Sequence, residues 1–150
     1  DDAVLMITAL TLARRRGILI GAPETARMAT GCRDILVVPY APHHLLFPHV
    51  AVAVHHGGAG ATAASLRAGI PTVTIPVGID QPFWGRRVAA LGAGPPPLMR
   101  RHATPDLLAA AIIAATDDAI RVRAAALGRL IRAEQGVTRA VDTISACLGW

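Results

Sequence analysis

The chain has 150 residues, 53% of them hydrophobic, 17% charged and only 3% aromatic. That is enough apolar chain for one domain with a real core, and it excludes a disordered polypeptide. The net charge is +5, yet the arginines are scattered in pairs (Arg86/Arg87, Arg100/Arg101) with no aromatic interleaving. This argues against nucleic acid and suits a small anionic ligand or a peripheral contact with an anionic membrane surface.

No segment reads as a membrane span. Residues 3–13 are apolar but short and end at Arg14, Arg15 and Arg16; residues 35–54 are broken by Pro39, Pro42, His43, His44, Pro48 and His49. Asp1 and Asp2 stand where a signal peptide needs a basic region. Two cysteines, Cys32 and Cys147, give neither a disulfide framework nor a metal pattern and read as reduced thiols of a cytoplasmic protein.

In chain order, Leu5, Ala9, Leu12 and Ala13 mark a first helix, closed by the basic run and Gly17. Short β-branched runs at 18–20, 35–38, 50–54 and 72–75 predict buried parallel strands, with a weaker fifth near Leu98 and Met99. Helices are predicted over 61–68, stopped by Gly69, and over 82–91, stopped by Gly92. Thr104-Pro105 opens another, with Leu108, Ala111, Ile112 and Ala115 on one face. Asp117 caps the next, where Ala124, Leu127 and Ile131 align. Val141, Ile144 and Leu148 mark the last. This alternation predicts an α/β fold: a doubly wound, Rossmann-like parallel sheet that binds its ligand beyond the strands' carboxyl ends. Such a domain normally begins with a strand, whereas this chain opens in a helix. The expectation is therefore a fragment lacking its first strand, residues 1–150 forming one domain of a larger protein.

The segment from Val50 to Thr62 carries the chemistry. A hydrophobic strand runs into His55-His56-Gly57-Gly58-Ala59-Gly60-Ala61, and a helix follows. Glycines let a backbone approach an anion closely, and the first amides of a helix point outward unpaired. The loop has neither the Lys-Ser/Thr of the nucleoside-triphosphate loop nor the Gly-x-Gly-x-x-Gly order of dinucleotide folds. It adds a histidine pair that can donate to phosphate or cap local backbone. Asp80-Gln81 after the fourth strand can hold two sugar hydroxyls, or Asp80 can cap the helix that starts at Pro82. Trp84 lines that pocket or packs beneath it. Tyr40 can stack on a base or close the edge of the core. The spacing of His43, His44 and His49 is not a recognised zinc pattern, so no metal site is expected.

The run from His55 to Pro71 resembles the donor-site segment of GT-B fold glycosyltransferases, similar to bacterial sterol-glucosyltransferase-like and antibiotic glycosyltransferases. The likeness extends from about Leu5 to the C-terminus and is most specific over 40–94. It implies the C-terminal, donor-binding half of an inverting, metal-independent enzyme that moves a hexose, by resemblance glucose, from a UDP- or TDP-sugar to a hydroxyl. It implies that His55, His56 and the loop Gly57, Gly58, Ala59, Gly60 and Ala61 meet the diphosphate. Asp80 and Gln81 would hold the donor sugar, and Tyr40, Ala41 and His43 would frame the base. Ala63 stands where plant relatives carry a ribose-binding Glu, which leaves the choice of UDP or TDP open. The general base belongs to an N-terminal acceptor-binding domain or partner chain, so no catalytic residue is assigned here. No cofactor is implied, the nucleotide-sugar being substrate. Competing expectations are a nucleotide-sugar-binding accessory subunit and a nucleotide-sugar 2-epimerase half.

Overall fold

The structure, a computed structural model, describes residues 2–149. Helix α1 (Asp2–Ala13) leads to strand β1 (Gly17–Ile20), helix α2 (Pro23–Met28) and strand β2 (Ile35–Val38). Helix α3 (His43–Leu46) and a 3-10 turn (Phe47–His49) precede strand β3 (Ala53–His55), helix α4 (Ala59–Ala68), strand β4 (Thr72–Thr74) and helix α5 (Gln81–Ala90). Helices α6 (Pro105–Ala115), α7 (Asp118–Ala133) and α8 (Gly136–Leu148) complete the chain.

Strand β4 organises the core. Every residue in it is buried, and alternate side chains point to opposite faces. Val73, with Ile75 just beyond, packs against Leu5, Ala9 and Ala13 of α1 and Leu108, Ile112 and Ala115 of α6. Thr72 and Thr74 face the other way: the Thr72 hydroxyl donates to Ser65 of α4, and Thr74 lies beside Gly85 of α5. On that side Leu66, Val88, Ala93 and Ala124 form a second cluster. Small residues set its spacing: a Cβ on Gly128 of α7 would fall 2.6 Å from the Gly69 Cα, so α7 seats directly on the C-terminal end of α4. Gly69 itself sits at φ +78, where glycine is unstrained.

The strands pair in parallel, as expected for this fold class, but as two pairs: β1 with β2, Ile18 opposite Leu36, and β3 with β4, His55 opposite Thr74. The expected burial of the first pair needs correction. Ile18, Ile20 and Leu36 are exposed, because α2, packed on β2, is only six residues long and too short to cover the pair. The third strand begins at Ala53 rather than Val50. The 3-10 turn at Pro48 holds the Val50 amide on the Phe47 carbonyl, leaving it no place in the ladder. The expected fifth strand forms no ladder, yet Leu98 and Arg100 donate to the carbonyls of Thr74 and Pro76, so this segment runs alongside β4 as an extended edge.

Caps fall where the side chains dictate. The Thr104 hydroxyl accepts the Leu107 amide, and Asp117 accepts that of Ala119. Both cysteines are free thiols. Among the described residues no helix is long and apolar enough to cross a membrane.

Candidate donor-binding site

The carboxyl ends of β3 and β4 lie side by side, so the loops that follow them share one rim. The β3–α4 loop is backbone-built. Gly57 turns the chain at φ +88, and a Cβ there would meet the Gln81 carbonyl oxygen at 3.2 Å. Gly58 is the N-cap of α4 and offers no side-chain bond. The first capped amide is that of Thr62, which donates to the Gly58 carbonyl. Among the described residues the amides of Gly58, Ala59, Gly60 and Ala61 therefore have no protein acceptor, and nothing stands within 4 Å of the place a Gly60 Cβ would take. Four outward N–H groups at the positive end of a helix form a ready seat for an anion.

The two histidines differ. His55 is half-buried, and its Nδ1 accepts the Gly57 amide at 3.0 Å. Its Nε2 faces the Ser65 hydroxyl oxygen at 3.5 Å. Ser65 donates in turn to the Thr62 carbonyl and accepts from Thr72. Burial, together with the neighbouring His56 and His43, lowers the His55 pKa from 6.5 to about 4. His56 is exposed and its ring lies over Gly58, where a Cβ would fall 2.6 Å from its Nε2. Sequence reasoning missed Ser65 and Thr72. The available signal was a hydroxyl on the inward face of each of two buried elements.

In the β4–α5 loop the side chains are partly engaged. Asp80 Oδ2 accepts the Trp84 indole N–H at 2.9 Å. It makes no side-chain cap bond, so the alternative role as helix cap is replaced by a role in holding Trp84. Gln81 Oε1 accepts the Val77 amide at 2.8 Å, which turns its NH2 group away as a free donor. Asp80 Oδ1 and the Gln81 amide nitrogen remain for a polar ligand. Just before them in the loop, Ile79 is 97% exposed at φ +59, a strained conformation for a β-branched residue. Arg86 and Arg87 are exposed on α5.

The expected base-framing segment lies beyond β2. Tyr40 is 75% exposed and Ala41 half-buried. His43 stacks on Phe47, ring centroids 4.6 Å apart, and is close enough to act on the His55 imidazole. Helix α3 packs on α4, so this segment borders the glycine loop. Among the described residues no three His, Cys, Asp or Glu side chains group as a metal ion would require.

A parallel α/β domain with an anion-ready loop at its strand ends is the C-terminal half of the GT-B architecture, and the comparisons agree. The chain belongs to the erythromycin biosynthesis protein CIII-like C-terminal domain family, whose model matches residues 17–138. It is 43% identical over 129 residues to an O-mycaminosyltylonolide 6-deoxyallosyltransferase of Streptomyces fradiae, covering 85% of this chain and 30% of that protein. It is 44% identical over 111 residues to a sterol 3-beta-glucosyltransferase of Cryptococcus neoformans var. neoformans serotype D, covering 74% of this chain and 7% of that protein. The solved kitacinnamycin glycotransferase superposes with a TM-score of 0.78 at 28% identity, over 97% of this chain and 38% of that one. The chain thus spans a minor part of each of these relatives.

Proposed function

We propose that residues 1–150 form the donor-binding domain of a glycosyltransferase, which binds the diphosphate of a UDP- or TDP-hexose on the β3–α4 loop. The observation that carries this is the set of unpaired amides at Gly58, Ala59, Gly60 and Ala61 beside the free polar atoms of Asp80 and Gln81. Hydrogen bonds to an anion contribute about 1.5–3 kcal/mol each, and the helix terminus adds roughly 0.3–1 kcal/mol. Micromolar affinity requires about 8.2 kcal/mol, so the cradle suffices without a divalent metal.

Asp80 Oδ1 accepts from one sugar hydroxyl and the Gln81 NH2 group donates to another. Tyr40, Ala41 and His43 border the base. As the glycosidic bond to the diphosphate breaks, negative charge grows on the leaving group, and donors already fixed around it stabilise that charge. Inversion requires an acceptor hydroxyl deprotonated from the opposite face. That base belongs to an acceptor-binding domain or partner chain, and this chain alone binds donor without turnover. A cytoplasmic location accords with a nucleotide-sugar substrate.

Calorimetric titration of the chain with UDP, dTDP and uridine tests the reading. Saturable micromolar binding of one diphosphate is expected, with uridine at least about 100-fold weaker, the loss of two or more ionic hydrogen bonds. Equal affinity for uridine, or no binding of either diphosphate, would sink it.

A further inference from the structure

We propose that the solvent face of α7 docks on an anionic lipid bilayer, at the end of the domain opposite the donor rim. The proposal stands apart from the donor reading above and concerns a different surface.

Position comes first. Helix α7 lies across the amino-terminal end of the β3–β4 pair. Its Gly128 seats on Gly69, which closes α4, and its Arg123 side chain runs past Gly92, which follows α5. A cleft beside Asp118, Arg121 and Val122 is walled by Val50, Ile70 and Pro71, which lead into β3 and β4. The donor loops leave the other ends of the same parallel strands. The two surfaces therefore occupy opposite ends of the domain.

Charge comes next. Arginines spread along the sequence gather on this flank. Helices α4, α5 and α7 hold seven of the fifteen arginines and a single acid, Asp118. Asp117 and Glu134 stand just beyond the two ends of α7. Some of this charge has internal work. Arg121 pairs with Asp118 at 2.5 Å, and Arg132 donates to the Arg67 carbonyl, a cation set on the negative end of α4. The side chains of Arg67, Arg123 and Arg129 are exposed and make no hydrogen bond or ion pair among the described residues. Folding the domain does not account for these three.

Apolar surface selects the partner. Val122 and Leu130 are 67% and 66% exposed. With Ala126 and Ala133 they follow the i, i+4, i+8, i+11 spacing of one helix side. At 100° per residue Arg129 falls at the edge of this stripe, Arg123 on one flank, and Arg121 and Arg132 on the other. Long cations around bare aliphatic groups match a bilayer surface: guanidinium groups reach headgroup phosphates while Val122 and Leu130 enter the acyl boundary. The apolar walls of the adjoining cleft extend the same surface. A nucleic acid would engage the arginines but leave the aliphatic stripe idle, and α7 has no aromatic residue to stack on a base.

Cosedimentation of the full chain with vesicles tests the proposal. Vesicles of equal parts phosphatidylcholine and phosphatidylglycerol should bind it, less strongly as salt rises, and phosphatidylcholine alone should bind little. Arg123→Gln and Arg129→Gln should each lower affinity about fivefold, the contribution of one arginine beside an anionic surface, and together about 25-fold. Val122→Asn with Leu130→Asn changes no charge and should still cost at least about tenfold. Arg101→Gln, on the exposed turn that follows the other end of β4, should leave lipid affinity unchanged. Saturating UDP should not release the chain from the vesicles. Equal binding to neutral vesicles, or full affinity after both arginine substitutions, would overturn the proposal. Release by UDP would place lipid phosphate on the donor loop and overturn it as well. So would undiminished vesicle binding by the Val122/Leu130 variant with duplex DNA bound as tightly as lipid, the mark of a surface for polyanions in general.

Discussion

The two loops on the site's rim solve the same problem by opposite means. After β3, the ligand-ready groups are backbone amides, and the neighbouring His55 ring accepts the Gly57 amide within the turn. After β4, the groups are side chains, and each keeps one polar atom for the protein and one for solvent. Asp80 holds Trp84, and Gln81 holds Val77. A backbone cradle fixes where an anion sits but cannot tell one sugar from another. A side-chain pair can discriminate, and its geometry is only as firm as the local bonds that orient it. The first loop should therefore govern affinity for any nucleoside diphosphate, and the second should govern preference among sugars.

Gly57→Val should break the first loop most severely. It forces a branched side chain to φ +88 and a Cβ to within 3.2 Å of the Gln81 oxygen. A loss of about 2–4 kcal/mol in unfolding free energy is expected, with UDP binding abolished in whatever folds. Denaturant melts and calorimetry read both effects.

The next effect is on pH. Burial holds His55 near pKa 4 in the fold against 6.5 unfolded. Between those values the unfolded chain binds the extra proton, so stability is fully present above about pH 6.5 and declines as pH falls towards 4. The imidazole is partly accessible, and the decline is up to roughly 3 kcal/mol before solvent screening. His55→Asn should flatten that segment of the stability profile. An unchanged slope would mean that His55 is not held neutral by the loop.

Gln81→Glu sharpens the contrast between loops. It keeps the acceptor for the Val77 amide but replaces the NH2 donor. Affinity for a UDP-hexose should fall about tenfold, one hydrogen bond's worth, while UDP affinity changes little. Parallel losses for both ligands would place Gln81 on the phosphates. The smallest effect concerns Ile79, which gains nothing from burial at 97% exposure. Ile79→Gly should relieve the left-handed backbone and raise stability by about 1 kcal/mol, measured by thermal melts.

The sequence displayed the loops better than it displayed their internal wiring. Strand β4 was legible because Thr72, Val73 and Thr74 form a β-branched run buried on both faces. The glycine loop was legible because few backbones need Gly57-Gly58 before a helix. Helices α2 and α3 were not, since six and four residues are too few to show a period. The start of β3 was misplaced because Val50 and Val52 look like strand, while Pro48 in the preceding turn decides the hydrogen bonding. The inward engagement of His55 was hidden for another reason. Its partner Ser65 is ten residues away on a different element, and only the packing of α4 on β4 brings the two together.

The central claim is that free amides at the start of α4 hold a diphosphate. Titrating nitrogen-15-labelled chain with UDP and dTDP while following its amide spectrum tests it most directly. Saturable shifts centred on Gly58, Ala59, Gly60 and Ala61 are predicted. Saturable binding that leaves these four resonances unmoved would contradict it.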